Sequence, residues 1–251
     1  CVKKLQSPPD FIRLLASDLR WTLACALTNS DRRVSELVME VEQPVNLVSY
    51  HLKKMRDEGL VSARRSESDG RDVYYSLNLD FLRDLYRAAG SALHPALMNA
   101  AAAAVYAPYR VLFVCTHNSA RSQMAEGLLR HLSAGQITVA SAGSQPTRLH
   151  PEAIRAMDSI GIDIRNQHPQ HLSAVEGQAF DVVITVCDRA REVCPMFPGS
   201  GTMLHWGFTD PAAVIDPDER AYAFEQTAVR LHARIQHFLS TMQQPYAKGA
   251  V

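Results

Sequence analysis

RVLFVCTHNSARSQM, residues 110–124, decides the reading of this chain. Val111 to Val114 is a short apolar run, β-branched and aromatic, of the kind that forms a buried strand. Arg121 opens a helical pattern, RSQMAEGLLRHL, so Cys115 to Ala120 must be a tight loop running into a helix N-terminus. A tetrahedral oxyanion needs inward-facing N–H groups, the positive end of a helix and a planar guanidinium for paired hydrogen bonds. Thr116, His117, Asn118, Ser119, Ala120, Arg121 and Ser122 are placed to supply them. The same field is expected to lower the Cys115 pKa and make that thiol a nucleophile aimed at the bound anion.

Strand and helix patterns alternate after this loop: strand 137–141, helix 151–160, strand 180–186, a short strand near 202–205 and helix 218–241. With strand 110–114, that alternation predicts a parallel four-stranded sheet flanked by helices. Asp210, in HWGFTDPAAV, is either a general acid held at the mouth of the pocket or an ordinary Asp-Pro turn. Cys187 and Cys194 lie in TVCDRAREVCPMFPGSG, at a strand end and running into a Pro- and Gly-rich loop. Their spacing does not suit zinc, and no metal site is expected. A regular helix would part them by about 10.5 Å along its axis. A disulfide tolerates only about 4.4–6.8 Å between Cα atoms, so they are either unrelated or joined only once any helix between them unwinds.

The chain has 251 residues, 47% of them hydrophobic, with 26 basic side chains balanced by 26 acidic ones. That length suits one large domain or two ordinary ones, and the apolar share excludes wholesale disorder. No stretch approaches the ~20 apolar residues of a membrane span, and no charged-then-apolar leader opens the chain, so a cytoplasmic protein without membrane attachment is expected. The first residue is cysteine, which reads as a trimmed or incomplete N-terminus. Five cysteines at irregular spacing (Cys1, Cys25, Cys115, Cys187 and Cys194) do not form a secreted disulfide framework. Zero net charge leaves a nucleic-acid partner open, because a sum does not say where charges sit.

An Ala-rich stretch at 88–109 marks a boundary: residues 1–92 form one domain, 93–108 a linker and 109–245 a second domain. The first domain is a run of short helices over 10–16 and 18–28, then a third capped by Ser30 or Asp31. Pro44 starts a fourth, 44–58, with Val45, Val48, Leu52 and Met55 on its apolar face and Gly59 at its end. Two alternating runs, 60–65 and 71–77, make a hairpin with Asp69-Gly70 as its turn, and a last helix fits 79–90. The pattern fits either a winged helix-turn-helix, mainly α with a β-hairpin wing, or an ordinary amphipathic surface helix at 44–58 with the arginines on a solvated face. In the winged form the second helix offers Asn46, Ser49, Tyr50 and Lys53 to base edges and phosphates, and the wing offers Arg64, Arg65 and Arg71 to backbone phosphate. Cys25, mid-helix in LACAL, is expected to be a buried core thiol.

QPVNLVSYHLKKMRDEGLV with the RRSESDGRDVYYSL wing resembles the ArsR/SmtB family of repressors over residues 8–90, which implies a homodimer on operator DNA. The Cys-x-Cys motif of its arsenic-sensing members is absent, the matching stretch being Glu36 to Val41. VCTHNSARSQMAEG, the SAG at 141–143, the VC-x6-CP pair and HWGF-x-DPA resemble the thioredoxin-coupled arsenate reductases of the low-molecular-weight tyrosine phosphatase fold, over 109–241. His117 stands where many members have Gly, and Ala120 where some have another Cys.

That resemblance implies that Cys115 attacks arsenate, Arg121 binds it and Asp210 protonates the leaving oxygen. Asn118 then braces the loop and Ser122 stabilises the thiolate. Cys187 attacks Cys115 to release arsenite, and Cys194 attacks Cys187 to leave a disulfide for thioredoxin, or for a glutaredoxin or mycothiol system. No tightly bound cofactor is implied. Some relatives hold potassium through residues matching Asn118, Glu126 and Ser141 plus an aspartate, whose place Gln170 takes here. Two other functions fit the same residues: a tyrosine phosphatase, which would hydrolyse the Cys115 intermediate with water, and a non-catalytic oxyanion sensor. Ala212 stands where a phosphatase usually has an aromatic residue.

Overall fold

The computed structural model describes residues 7–68, 70–93, 109–193 and 201–242. The chain divides near residue 102 into two compact units. Most of the predicted linker, and the turn residue Asp69, lie outside the described residues. Among the described residues no helix is long and apolar enough to cross a membrane.

The first unit runs α1 (Asp10–Leu15), α2 (Asp18–Ala26), β1 (Arg32–Arg33), α3 (Val34–Val41), α4 (Val45–Asp57), β2 (Val61–Arg65), β3 (Val73–Leu77) and α5 (Leu79–Leu93). β3 is central in an antiparallel sheet of order β1-β3-β2, with Val61 opposite Leu77 and Arg65 opposite Val73. Leu23, Leu27, Leu37, Val48, Leu52, Met55 and Leu60 form the core. Gly59 ends α4 at φ +75°, a conformation that favours a residue without Cβ.

The structure departs from the sequence-based expectation at three places in this unit. Ser30 and Asp31 do not cap α3: the chain first spends Arg32–Arg33 on β1, and the Glu36 carboxylate then accepts the Arg33 N–H at 2.8 Å. Val45 is 57% exposed, because the first turn of α4 stands clear of the core that buries Val48, Leu52 and Met55. Cys25 is exposed, not buried. α2 buries Leu23 and Ala24 and its C-cap buries Leu27, and at about 100° per residue Cys25 falls on the other side of that stripe.

The second unit runs β4 (Arg110–Cys115), α6 (Arg121–Leu132), β5 (Thr138–Gly143), α7 (Pro151–Asp158), β6 (Val182–Thr185), α8 (Asp188–Val193), β7 (Thr202–His205) and α9 (Pro217–Met242). All pairings in the four-stranded sheet β5-β4-β6-β7 are parallel. Val111 to Val114 and Val182 to Ile184 are buried, as strands covered on both faces must be. α6 packs on β4, β5 and α9, and α8 on β4 and β6. Successive connections leave β4 in opposite directions, so the carboxyl end of β4 is a switch point where a crevice opens.

Gly143 ends β5 where a Cβ would lie 2.6 Å from the Thr116 carbonyl oxygen and 3.0 Å from Asn118 Cβ. Replacing it must push the 115–121 loop away. Gly143→Ala is expected to destabilise the second unit by about 1–3 kcal/mol, read as a lower urea midpoint with unchanged slope.

Candidate functional site

The loop between β4 and α6 wraps around one sulfur. Cys115 is 4% exposed. Its Sγ accepts the Asn118 N–H at 3.0 Å and lies 2.9 Å from Ser122 Oγ. Asn118 makes this possible by adopting φ +47°, the left-handed turn that short amide side chains tolerate. Its own amide is fully engaged: Nδ2 donates to Ser122 Oγ at 2.9 Å and Ser141 Oγ at 2.8 Å. Oδ1 accepts from Gln123 Nε2 at 3.1 Å and from the Gln170 N–H at 2.8 Å. The segment after β5 braces the loop from outside, with the N–H groups of Gln145, Thr147 and His150 donating to the carbonyls of Thr116, His117 and Ser119.

Thr116, Ala120, Arg121 and Ser122 are buried, Ser119 is half-buried and His117 is exposed. No side chain caps α6, so its first-turn N–H groups are available to an anion. The Arg121 guanidinium donates to the Phe208 carbonyl at 2.6 Å and pairs with Asp210 Oδ2 at 3.2 Å. Burial acts to lower the Arg121 pKa, but the acidic groups around it, Asp210 foremost, together outweigh burial and hold the group above its ordinary value. Asp210 caps the short turn Pro211–Ala213, accepting the Ala212 N–H at 3.2 Å, so one residue both holds the Asp-Pro turn and pairs with the guanidinium.

Cys187, in the segment between β6 and α8, is buried with its Sγ 3.5 Å from Thr116 Oγ1. Cys194 lies outside the described residues, as does Cys1. α8 starts directly after Cys187, so a helix does occupy the stretch between the two cysteines.

The Cys115 pKa is raised, contrary to expectation: burial dominates and the neighbouring Cys187 adds to it. The Ser122 hydrogen bond, Arg121 and the Asn118 N–H oppose the rise without cancelling it. The helix and guanidinium were legible in the sequence, whereas the depth of the sulfur and the second thiol beside it were not.

The donors that would hold potassium do not fit it. Asn118 Oδ1 already accepts two N–H groups, and Gln170 Nε2 donates to the Ser141 carbonyl at 2.9 Å. Glu126 accepts the Ser141 hydroxyl at 2.6 Å and pairs with Arg130. Amide N–H groups therefore stand where a cation would need oxygen. Among the described residues no three His, Cys, Asp or Glu side chains group as for a metal ion.

Sequence reasoning missed Gln123, Phe208 and His150. His150 caps α7, accepting the Glu152 N–H at 3.2 Å, and stacks on Phe224 at 4.7 Å; a residue before Pro151 was the available signal. In the first unit, α4 exposes Asn46, Ser49, Tyr50 and Lys53. Arg65 and Arg71 are exposed, and Arg64 is half-buried with its guanidinium 5.6 Å from the Tyr74 ring centre.

The pattern of the low molecular weight phosphotyrosine protein phosphatase family matches residues 110–247, and that of bacterial regulatory proteins of the arsR family matches residues 19–63. The chain is 39% identical over 132 residues to an arsenate reductase of Halalkalibacterium halodurans, covering 52% of this chain and 95% of the relative. It is 40% identical over 116 residues to an arsenate reductase of Bacillus subtilis, covering 46% and 84%. The solved structure of a thioredoxin-dependent arsenate reductase of Corynebacterium glutamicum is 31% identical, covers 55% of this chain and 63% of its own, and has a TM-score of 0.43.

A raised thiol pKa leaves Cys115 mostly protonated at neutral pH in the free protein. Its alkylation by iodoacetamide should rise with pH through a midpoint above the ~8.5 of free cysteine. Ser122→Ala, which removes a hydrogen bond favouring the thiolate, should move that midpoint higher still; a midpoint below that of free cysteine would contradict the burial argument.

Proposed function

The chain belongs, over residues 110–247, to the low molecular weight phosphotyrosine protein phosphatase family, and within it we propose an arsenate reductase joined to an ArsR-type DNA-binding regulator. The observation that carries this reading is the second thiol. A phosphatase needs only Cys115, Arg121 and Asp210, yet Cys187 is buried with its Sγ 3.5 Å from the hydroxyl of Thr116, the residue that follows Cys115. The arsenate reductases that match the second unit at 39–40% identity support the same choice.

Arsenate is bound by N–H groups of the 116–122 loop other than that of Asn118, which holds Cys115 Sγ, and by the Arg121 fork, with no metal or tight cofactor. A dianionic substrate can take the Cys115 proton as it binds, which reconciles a raised thiol pKa with a thiolate attack. Cys115 Sγ bonds to arsenic while Asp210 protonates the departing oxygen, which leaves as water. Cys187 then attacks Cys115 Sγ. The S–S bond forms, the S–As bond breaks, and its electron pair stays on arsenic, so As(V) becomes As(III) and two thiols become a disulfide. Cys194 attacks Cys187, freeing Cys115, and an external dithiol such as thioredoxin, or a glutaredoxin or mycothiol system, reduces the Cys187–Cys194 disulfide. Because α8 occupies the stretch between them, it unwinds in this step.

The regulator comprises residues 1–92 and the enzyme 109–245, joined by 93–108. Asn46, Ser49, Tyr50 and Lys53 enter the major groove and Arg64, Arg65 and Arg71 meet phosphate. α5 has no buried residue and exposes Phe81 and Tyr86, which suits a homodimer contact. Thiols that work by exchange suit a reducing compartment, which supports a cytoplasmic protein.

With arsenate, thioredoxin, thioredoxin reductase and NADPH, the wild-type chain should oxidise NADPH. Cys187→Ser should lower that rate by about 100-fold or more, with water-driven phosphate-ester hydrolysis remaining slow. An unchanged rate would rule out the relay. Lys53→Ala should weaken operator binding across sequences and reduce the salt slope by about one, read by fluorescence anisotropy at several salt concentrations.

A further inference from the structure

The junction between β6 and α8 carries a buried polar chain that the relay leaves without a role. Thr185 ends β6 and stands in register with His205, which ends β7. Thr185 Oγ1 is 2.9 Å from His205 Nδ1, and His205 Nε2 is 3.1 Å from Asp188 Oδ1. The His205 and Asp188 side chains are 0% and 1% exposed. A carboxylate out of water is costly unless it is paired, so side-chain packing alone gives no reason for an aspartate here. Asp188 directly follows Cys187 and is the first residue of α8. On the other side of Cys187, the Val186 N–H donates to the Val114 carbonyl at 2.8 Å. The backbone that presents Cys187 is thus pinned to β4 before the thiol and to β7 after it.

We propose that His205 is a positioning residue for thiol exchange. Through Asp188 it clamps the Cys187 backbone beside the 115–121 loop, and it stays closed while the remainder of α8 unwinds towards Cys194. The proposal rests on the reductase reading above and adds to it a fixed point about which the helix opens. Attack of one sulfur on another requires a defined approach, and a displacement of about 1 Å can cost about 100-fold in rate. A glutamine at 205 keeps an N–H donor at the reach of His Nε2, whereas leucine fills the volume of the ring without one.

The test uses the full chain carrying Cys194→Ser, so that oxidation by diamide stops at a Cys115–Cys187 disulfide, quantified by mass spectrometry. Closure is expected to be about tenfold slower with His205→Leu and within about threefold of the parent with His205→Gln. Iodoacetamide alkylation of Cys115, and the KM for arsenate of the corresponding chain with Cys194 intact, should be unchanged in both. Asp188→Asn, which keeps the volume and loses the charge, should also be slow, and it decides the matter if His205→Leu does not fold. Closure at the parent rate in the leucine variant, equal slowing by glutamine, or a parallel change in Cys115 alkylation would overturn the proposal. Diamide closure needs no arsenate, so a wild-type chain that makes no arsenite would overturn the reductase reading alone.

Discussion

A single backbone hydrogen bond, from the Asn118 N–H to Cys115 Sγ, fixes the curvature of the loop on which the second unit is organised. Asn118 reaches it only by turning left-handed, and its side chain must then satisfy four partners around the loop. Gly143 has no side chain because the Thr116 carbonyl fills that space. β5 and the segment after it are packed close to serve the loop as much as the sheet.

Burying the sulfur has a chemical consequence. A deep thiol resists ionisation, and the second thiol makes this worse, yet on the proposed mechanism both features are needed for the Cys115 sulfur to be attacked by a neighbour instead of by water. The cost falls on the free protein and is relieved when an anion arrives with a proton acceptor of its own. Arg121, fixed by Phe208 and Asp210, is oriented before the ligand binds, so little of its binding energy goes into ordering a flexible side chain.

The strand, loop and helix of 110–132 were legible because an apolar run, a loop and a helical period follow one another without a break. The winged helix was legible for the same reason, through Gly59 and the alternation on either side of Gly70. What failed depended on tertiary depth. Cys25 lies in an apolar word, but the helix turns it away from Leu23 and Leu27. Val45 has the right spacing, but its turn of helix has nothing above it. The cap of α3 moved because two residues were drawn into a sheet pairing that no local signal announces. The Asp188–His205 pair joins residues 17 apart on neighbouring elements, a contact that only parallel strand order creates.

The central claim is that two electrons pass from thiols of this chain to arsenic through Cys115 and Cys187. The most direct measurement is a single turnover of the fully reduced chain with arsenate and no external reductant, quenched with acid and mapped by mass spectrometry alongside arsenite determination. The account predicts equimolar arsenite and chain, with Cys187 and Cys194 joined and Cys115 returned to the thiol. Arsenite without that disulfide, or bound arsenate that yields no arsenite, would contradict it.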